Sequence, residues 1–142
     1  MPKAVAIDAS VIVRYLTGDE PRQSAAAVEL FRAAAAGQVN LIIPTSVLQE
    51  TVYALETFYD GTPETIAPKL ASLLSLTGVD CPDARWVLDG IHWYRTKKAD
   101  FGDALLCAYA RHHHCEVSTF DQGLIKKFPE IAATEPAKAK TK

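Results

Sequence analysis

Five carboxylates stand beside apolar segments of this 142-residue chain: Asp8, Glu50, Asp100, Asp103 and Asp121. Asp8 follows the run Val5-Ala6-Ile7, Asp100 and Asp103 open the segment DFGDALLCAYA, and Asp121 ends the stretch STFD. Acids gathered within a few ångströms repel one another and, left alone, take up protons. A divalent cation removes that conflict. Hard oxygen donors suit Mg²⁺ or Mn²⁺, and Mg²⁺ is commonly held by one or two carboxylates together with waters and substrate phosphate. Such an ion lowers the pKa of a bound water and stabilises charge on phosphoryl oxygens, so the set points toward phosphodiester hydrolysis. No His/Cys ligand spacing competes as a zinc site, and no Gly-rich phosphate loop is present. Each acid also has a plainer use. Asp100 suits the N-cap of a helix, where it satisfies free backbone amides. Asp103 shares a helix face with Asp100, follows Gly102 and is the better ligand of the two. Asp8 could cap the next helix, Glu50 could be simply exposed, and Asp121 could be a turn residue before Gln122-Gly123.

The elements that would position these residues alternate. Short apolar runs at 5–7, 41–43, 79–81 and 116–119 read as strands, with a small edge strand over 130–133. Helices are expected over 11–16 after a Ser10 cap, and over 21–36 from Pro21 to a stop at Gly37. Another runs to Tyr59 from a Thr45 or Ser46 cap, with Val47, Leu48, Val52, Leu55 and Phe58 on one stripe. Further helices follow Thr62-Pro63 to about 76, Asp83 to about 95 and Asp100 to about 113, with a short one after Asp121. Alternation of this kind predicts an α/β fold, a parallel sheet of four to five strands with helices on both faces. Ligands in such sheets bind beyond the carboxyl ends of the strands, where Asp8 and Asp121 fall and Glu50, Asp100 and Asp103 could join them.

The length suits one domain, expected over 1–133, with the Ala/Lys/Pro/Thr-rich stretch 134–142 as a fraying tail. A net charge of -2 excludes a global basic field, so nucleic acid would have to be met by a local patch. Three cysteines without C-x-x-C spacing suggest reduced thiols and a cytoplasmic setting. There is no secretory signal pattern and no run of membrane-spanning length.

The stretches IDASVIVRYLTGDEP, SVLQETVYALE, DFGDALLCAYA and STFD, in this order and spacing, resemble the PIN domain, and within it the VapC branch of toxin–antitoxin ribonucleases. The resemblance spans about residues 4 to 133. It implies a three-layer α/β/α sandwich around a parallel sheet. It also implies an endoribonuclease dependent on Mg²⁺ or Mn²⁺ that cuts tRNA or rRNA to leave 5′-phosphate and 3′-hydroxyl ends. By position it assigns Asp8, Glu50, Asp103 and Asp121 to catalysis and metal binding. Ser10, Asp100 and Thr119 become supporting residues that orient carboxylates or waters. Many relatives carry Asn or Thr where this chain has Ser10. The implied partners are an RNA substrate, a cognate VapB-like antitoxin whose C-terminal segment lies across the active-site groove, and a second copy of the chain in a homodimer.

Among basic residues, Arg14, Arg95, Lys97, Lys98, Lys126 and Lys127 could flank the acidic pocket, with Arg14, Lys97 and Lys98 the candidates to hold phosphate. Arg14 could also contact the antitoxin, and the helices 45–59 and 62–76 could form its groove or the dimer surface. Trp86, Trp93 and Tyr94 share one helix and read as packing rather than base stacking. His112, His113 and His114 are consecutive, so they point in different directions and read as a solvated helix end. Two functions compete with the toxin: an RNA-processing PIN nuclease without an antitoxin, and a non-catalytic PIN-fold binding module. An aspartyl-phosphate phosphatase would need a second acid where Asp8-Ala9-Ser10 has a serine.

Overall fold

The computed structural model describes residues 1–137 and divides the chain into two compact units, Met1–Arg85 and Trp86–Lys142. The first unit holds β1 (Lys3–Ala6), α1 (Ala9–Thr17), α2 (Pro21–Ala35), β2 (Val39–Ile42), α3 (Thr45–Phe58), α4 (Pro63–Leu74) and β3 (Val79–Asp80). The strands form a parallel ladder in the order β1-β2-β3, with Val5 opposite Leu41 and Leu41 opposite Val79. Leu41, in the middle strand, is wholly buried, as parallel strands covered by helices usually are. The helices between the strands are the crossovers that parallel pairing demands.

Local chemistry explains the helix boundaries. Glu20 caps α2 by accepting the Gln23 amide, and Pro21 occupies the first turn, where its missing N–H costs nothing. Thr62 and Thr65 form a reciprocal capping box at the start of α4. Gly78 has φ +82 and lies against the Ala34 backbone, so a side chain there would meet both backbone strain and a collision. Buried Ile12, Leu48, Val52, Ile66 and Leu70 supply the apolar interior, and Tyr15 stacks on Phe31 at 4.0 Å.

Two expected caps fall differently. α1 begins at Ala9, so Asp8 takes the N-cap and Ser10 lies inside the helix. At α3 the cap position is Pro44, which makes no side-chain bond. Thr45 is already helical and donates its hydroxyl to Asp83, which stands just before α5, at 2.9 Å.

The second unit contains α5, whose full span is Ala84–Thr96, α6 (Phe101–His112), β4 (Val117–Ser118), α7 (Gln122–Lys127) and β5 (Ala133–Thr134). β4 and β5 pair in parallel, Val117 with Ala133 and Ser118 with Thr134. The fold is thus α/β, with seven helices and five parallel strands in two ladders among the described residues. Thr134, read from sequence as the first tail residue, is paired. The part of the expected fraying tail at 138–142 lies outside the described residues.

α5 and α6 approach closely at Gly90. A methyl group there would come within 2.9 Å of Leu105 Cδ2 and 3.3 Å of its Cα. Trp93 and Tyr94 are buried and pack edge-on against Phe128 and Phe101, at 5.4 and 5.2 Å. Trp86, half-buried, meets Tyr109 edge-on. These residues are packing, as the sequence suggests. His112, His113 and His114 are exposed around the end of α6. Among the described residues, no helix is long and apolar enough to cross a membrane.

Candidate functional site

Asp8, Asp100 and Asp121 all stand at N-cap positions, where a carboxylate meets free amides and the positive end of a helix. In the first unit, Asp8 Oδ1 accepts the Ser10 hydroxyl at 2.6 Å and the Val11 amide at 3.3 Å. The Ser10 bond, then the Val11 bond, hold the Asp8 pKa below the usual aspartate value. Ser10 therefore supports Asp8, the relation the sequence suggests, although it does so from inside the helix it was expected to cap. Glu50 is an exposed residue of α3.

The second unit brings Asp100, Asp103 and Asp121 to one pocket of about 230 Å³, completed by Ala99, Gly123, Leu124, Lys127 and Phe128. Asp100 Oδ2 accepts the Asp103 amide at 3.2 Å, so the preferred capping role of Asp100 is realised. Asp121 Oδ1 accepts the Leu124 amide at 3.2 Å, and its own amide donates to the Thr119 hydroxyl at 3.0 Å. Thr119 thus braces Asp121 through its backbone.

Asp103 is pushed toward the protonated form. Partial removal from water is the main cause, the charges of Asp100 and Asp121 add to it, and Lys127 partly offsets it. Cys107, one turn further along α6, is buried, and its thiol is pushed up to about 11 by burial and then by the Asp103 charge. It is a neutral core residue, not a nucleophile.

The basic candidates separate clearly. Arg14 Nε donates to Gln23 at 2.7 Å, and its Nη1 donates to Asp19 and to the Tyr59 hydroxyl, each at 3.2 Å. Together with Ser10, Val11, Gln23, Ala26, Ala27 and Leu30, it lines a groove of about 410 Å³ between α1 and α2. Lys97 is also engaged. Its ammonium donates to the Lys127 carbonyl at 2.9 Å, pairs with Glu130 at 3.0 Å, and lies 5.8 and 5.3 Å from the centres of Trp93 and Phe128. Lys98 has φ +52, and its carbonyl accepts the Lys127 ammonium at 3.0 Å. Lys127 is therefore the cation that lines the acidic pocket. Its presence in a basic run is visible in sequence, but its choice over Lys97 is set by partners around thirty residues away.

Among the described residues, no group of three or more His, Cys, Asp or Glu is arranged to hold a metal ion by itself. The donor chemistry still fits a hard divalent cation, because Mg²⁺ is bound by as few as one or two carboxylates, with waters in its other positions. Asp103 and Asp121 are oxygen donors at one pocket, and the local charge balance favours an added cation.

No curated protein matches the chain in sequence. The profile of the PIN domain matches residues 5–131, most of the chain. With its α/β architecture and parallel strands, the chain belongs to the PIN-domain family.

Proposed function

We propose that the chain is a divalent-metal-dependent endoribonuclease and the toxin of a VapBC-type toxin–antitoxin pair, cutting tRNA or rRNA. The observation that carries the nuclease reading is the placement of Asp103, a half-buried carboxylate that shares a pocket with two more acids, Asp100 and Asp121. That arrangement is unfavourable for the chain alone and becomes favourable when a cation enters. PIN domains are generally metal-dependent nucleases, which supports the same reading.

Asp103 and Asp121 would hold Mg²⁺ or Mn²⁺, and the motif resemblance gives Asp8 and Glu50 the same task. The ion would supply a water of lowered pKa and positive charge against the phosphoryl oxygens. Thr119 fixes the backbone at Asp121, and Asp100 fixes that at Asp103, so both carboxylates are presented from capped helix starts. Each cap occupies one carboxylate oxygen. Lys127 lines the pocket and can meet a substrate phosphate with the ammonium protons not given to the Lys98 carbonyl, whereas Arg14 and Lys97 bond protein partners outside that lining.

The toxin assignment rests on the four motif stretches. The groove between α1 and α2, apolar along much of its length, with Arg14 in its wall, suits a segment of a VapB-like antitoxin. A homodimer belongs to the same proposal.

The test is cleavage of total tRNA and rRNA by the partner-free protein in Mn²⁺ and in EDTA, with Asp103→Asn, Asp8→Asn and Glu50→Gln alongside. Discrete cuts that require metal and vanish with Asp103→Asn support the nuclease. Cuts that persist in EDTA, or in Asp103→Asn, overturn it. Growth arrest on expression, relieved by a co-expressed small partner from the neighbouring gene, supports the toxin. Cutting without arrest leaves an RNA-processing nuclease.

A further inference from the structure

We propose that Phe120 is a stacking platform that seats one base of a single-stranded RNA segment while the adjoining phosphate lies at the Asp103–Asp121 pocket. The inference rests on the nuclease reading above. Phe120 is 75% exposed, whereas Trp93, Tyr94, Phe101 and Phe128 are buried with ring partners, and Tyr109, 45% exposed, packs against Trp86 and His113. Single exposed apolar residues are common on protein surfaces, so exposure alone decides nothing. The placement and the bracing of Phe120 decide it.

The next residue is Asp121, which lines the acidic pocket, and the preceding one is Thr119. Thr119 donates its amide to the Thr134 carbonyl at 3.0 Å and accepts the Asp121 amide on its hydroxyl at 3.0 Å. Asp121 in turn caps α7 through Leu124. The backbone is therefore pinned on both sides of Phe120. The side-chain alternation that buries Val117 and exposes Ser118 continues to a half-buried Thr119 and an exposed Phe120.

A phenyl ring offers a π-face and no hydrogen-bonding group, so it accepts any base without reading it. Lys127 lines the same pocket and can meet the neighbouring phosphate as a point charge. Phe120 would thus position a nucleotide, and sequence choice would fall to other contacts.

The test uses the full chain and two fluorescent single-stranded oligoribonucleotides that differ by one abasic residue at the cleavage site. Binding is measured in EDTA, and KM and kcat are measured in Mn²⁺. Phe120→Ala is expected to weaken binding and raise KM by about tenfold, with a much smaller change in kcat, because base–aromatic stacking has roughly that magnitude. Phe120→Trp should restore both. The abasic oligonucleotide should bind wild type and Phe120→Ala alike. Leu88→Ala, which removes a side chain of 43% exposure on α5, is the control for a general loss of apolar surface and should change nothing.

Wild-type binding and KM in Phe120→Ala, with cleavage still lost in Asp103→Asn, would overturn the stacking role and leave the nuclease standing. An equal effect of Leu88→Ala would overturn it too. A wild-type protein that neither binds nor cuts RNA would bring down the nuclease reading and this inference with it.

Discussion

Asp8 and Asp103 carry the same side chain near the start of a helix, yet their surroundings push them in opposite directions. Asp8 accepts a hydroxyl and a backbone amide on one oxygen, and both bonds favour its charged form. Asp103 sits deeper, beside two other acids, and its charged form is disfavoured. The first acid is satisfied by its own unit. The second is left with a charge that a proton or an added cation would relieve, with Lys127 offsetting part of it. A helix start thus serves two purposes in this chain: at α1 it completes the fold, and at α6 it also concentrates unmet negative charge.

The sharpest way to break this comparison is to neutralise Asp103. Asp103→Asn should reduce metal-dependent RNA cleavage by at least about a hundredfold, the range seen when a metal site loses a supporting oxygen or more. Measured by thermal melting in EDTA, the same variant should be no less stable than wild type. A clear fall in melting temperature would show that the carboxylate contributes to folding and that its crowding costs little.

Asp8 should behave in the opposite way in the melting experiment. Asp8→Ala removes a cap and should cost about 1 kcal/mol, whereas Asp8→Asn keeps an acceptor and should cost less. Equal melting curves for Asp8→Ala and wild type would mean that the bonds from Ser10 and Val11 contribute nothing.

Smaller, but diagnostic in sign, is the dependence of stability on pH in EDTA. Asp8, held low, contributes stability that is present above its unfolded pKa and is lost as pH falls through the folded value. Asp103, held high, costs stability that is absent in acid and appears as pH rises from the unfolded value through the folded one. Asp8→Asn should therefore flatten the loss of stability on acidification, and Asp103→Asn should steepen it. Chemical denaturation across the acid range reads both. Shifts of the same sign would remove the distinction between the two acids.

Least in size is Lys97→Met. It keeps an apolar stem but removes the ammonium from Trp93 and Phe128, at about 0.5–1 kcal/mol for a partly exposed cation over a ring. RNA binding should stay within twofold of wild type by the oligonucleotide assay. A tenfold loss would return Lys97 to the phosphate contacts.

Much of this was legible in the sequence because it depends on neighbours a few residues away. Asp100 reads as a cap and is one, Pro21 and Gly37 bracket α2, and the strand–helix alternation gives the parallel ladders. The misses have local and distant causes. Asp8 and Ser10 are both good caps two residues apart, and the apolar pattern starting at Val11 favours the serine. The chain instead starts α1 at Ala9 and turns the serine hydroxyl back onto the aspartate. Thr45 looks like a cap, but its hydroxyl is taken by Asp83, 38 positions along. Lys97 and Lys127 are alike in sequence. Only the placement of Trp93, Phe128 and Glu130 separates the tethered Lys97 from the pocket cation Lys127. Long-range pairing of polar groups has no periodicity to betray it.

The close passage of α5 over α6 at Gly90 has a consequence for tuning. Leu105 is the residue that an added methyl would strike, and it lies two positions after Asp103 on the same helix. Gly90 therefore acts as a spacer gauge for the start of α6, although it carries no chemistry of its own. A replacement by alanine would first meet Leu105 Cδ2, the end of a side chain that can turn aside, and then the Leu105 Cα at 3.3 Å, where the α6 backbone would have to give by a few tenths of an ångström. Misplacements approaching an ångström at a reacting centre cost orders of magnitude in rate. The seat of α6 beneath Asp103 is thus sensitive to an apolar change on the neighbouring helix that leaves every acid in place.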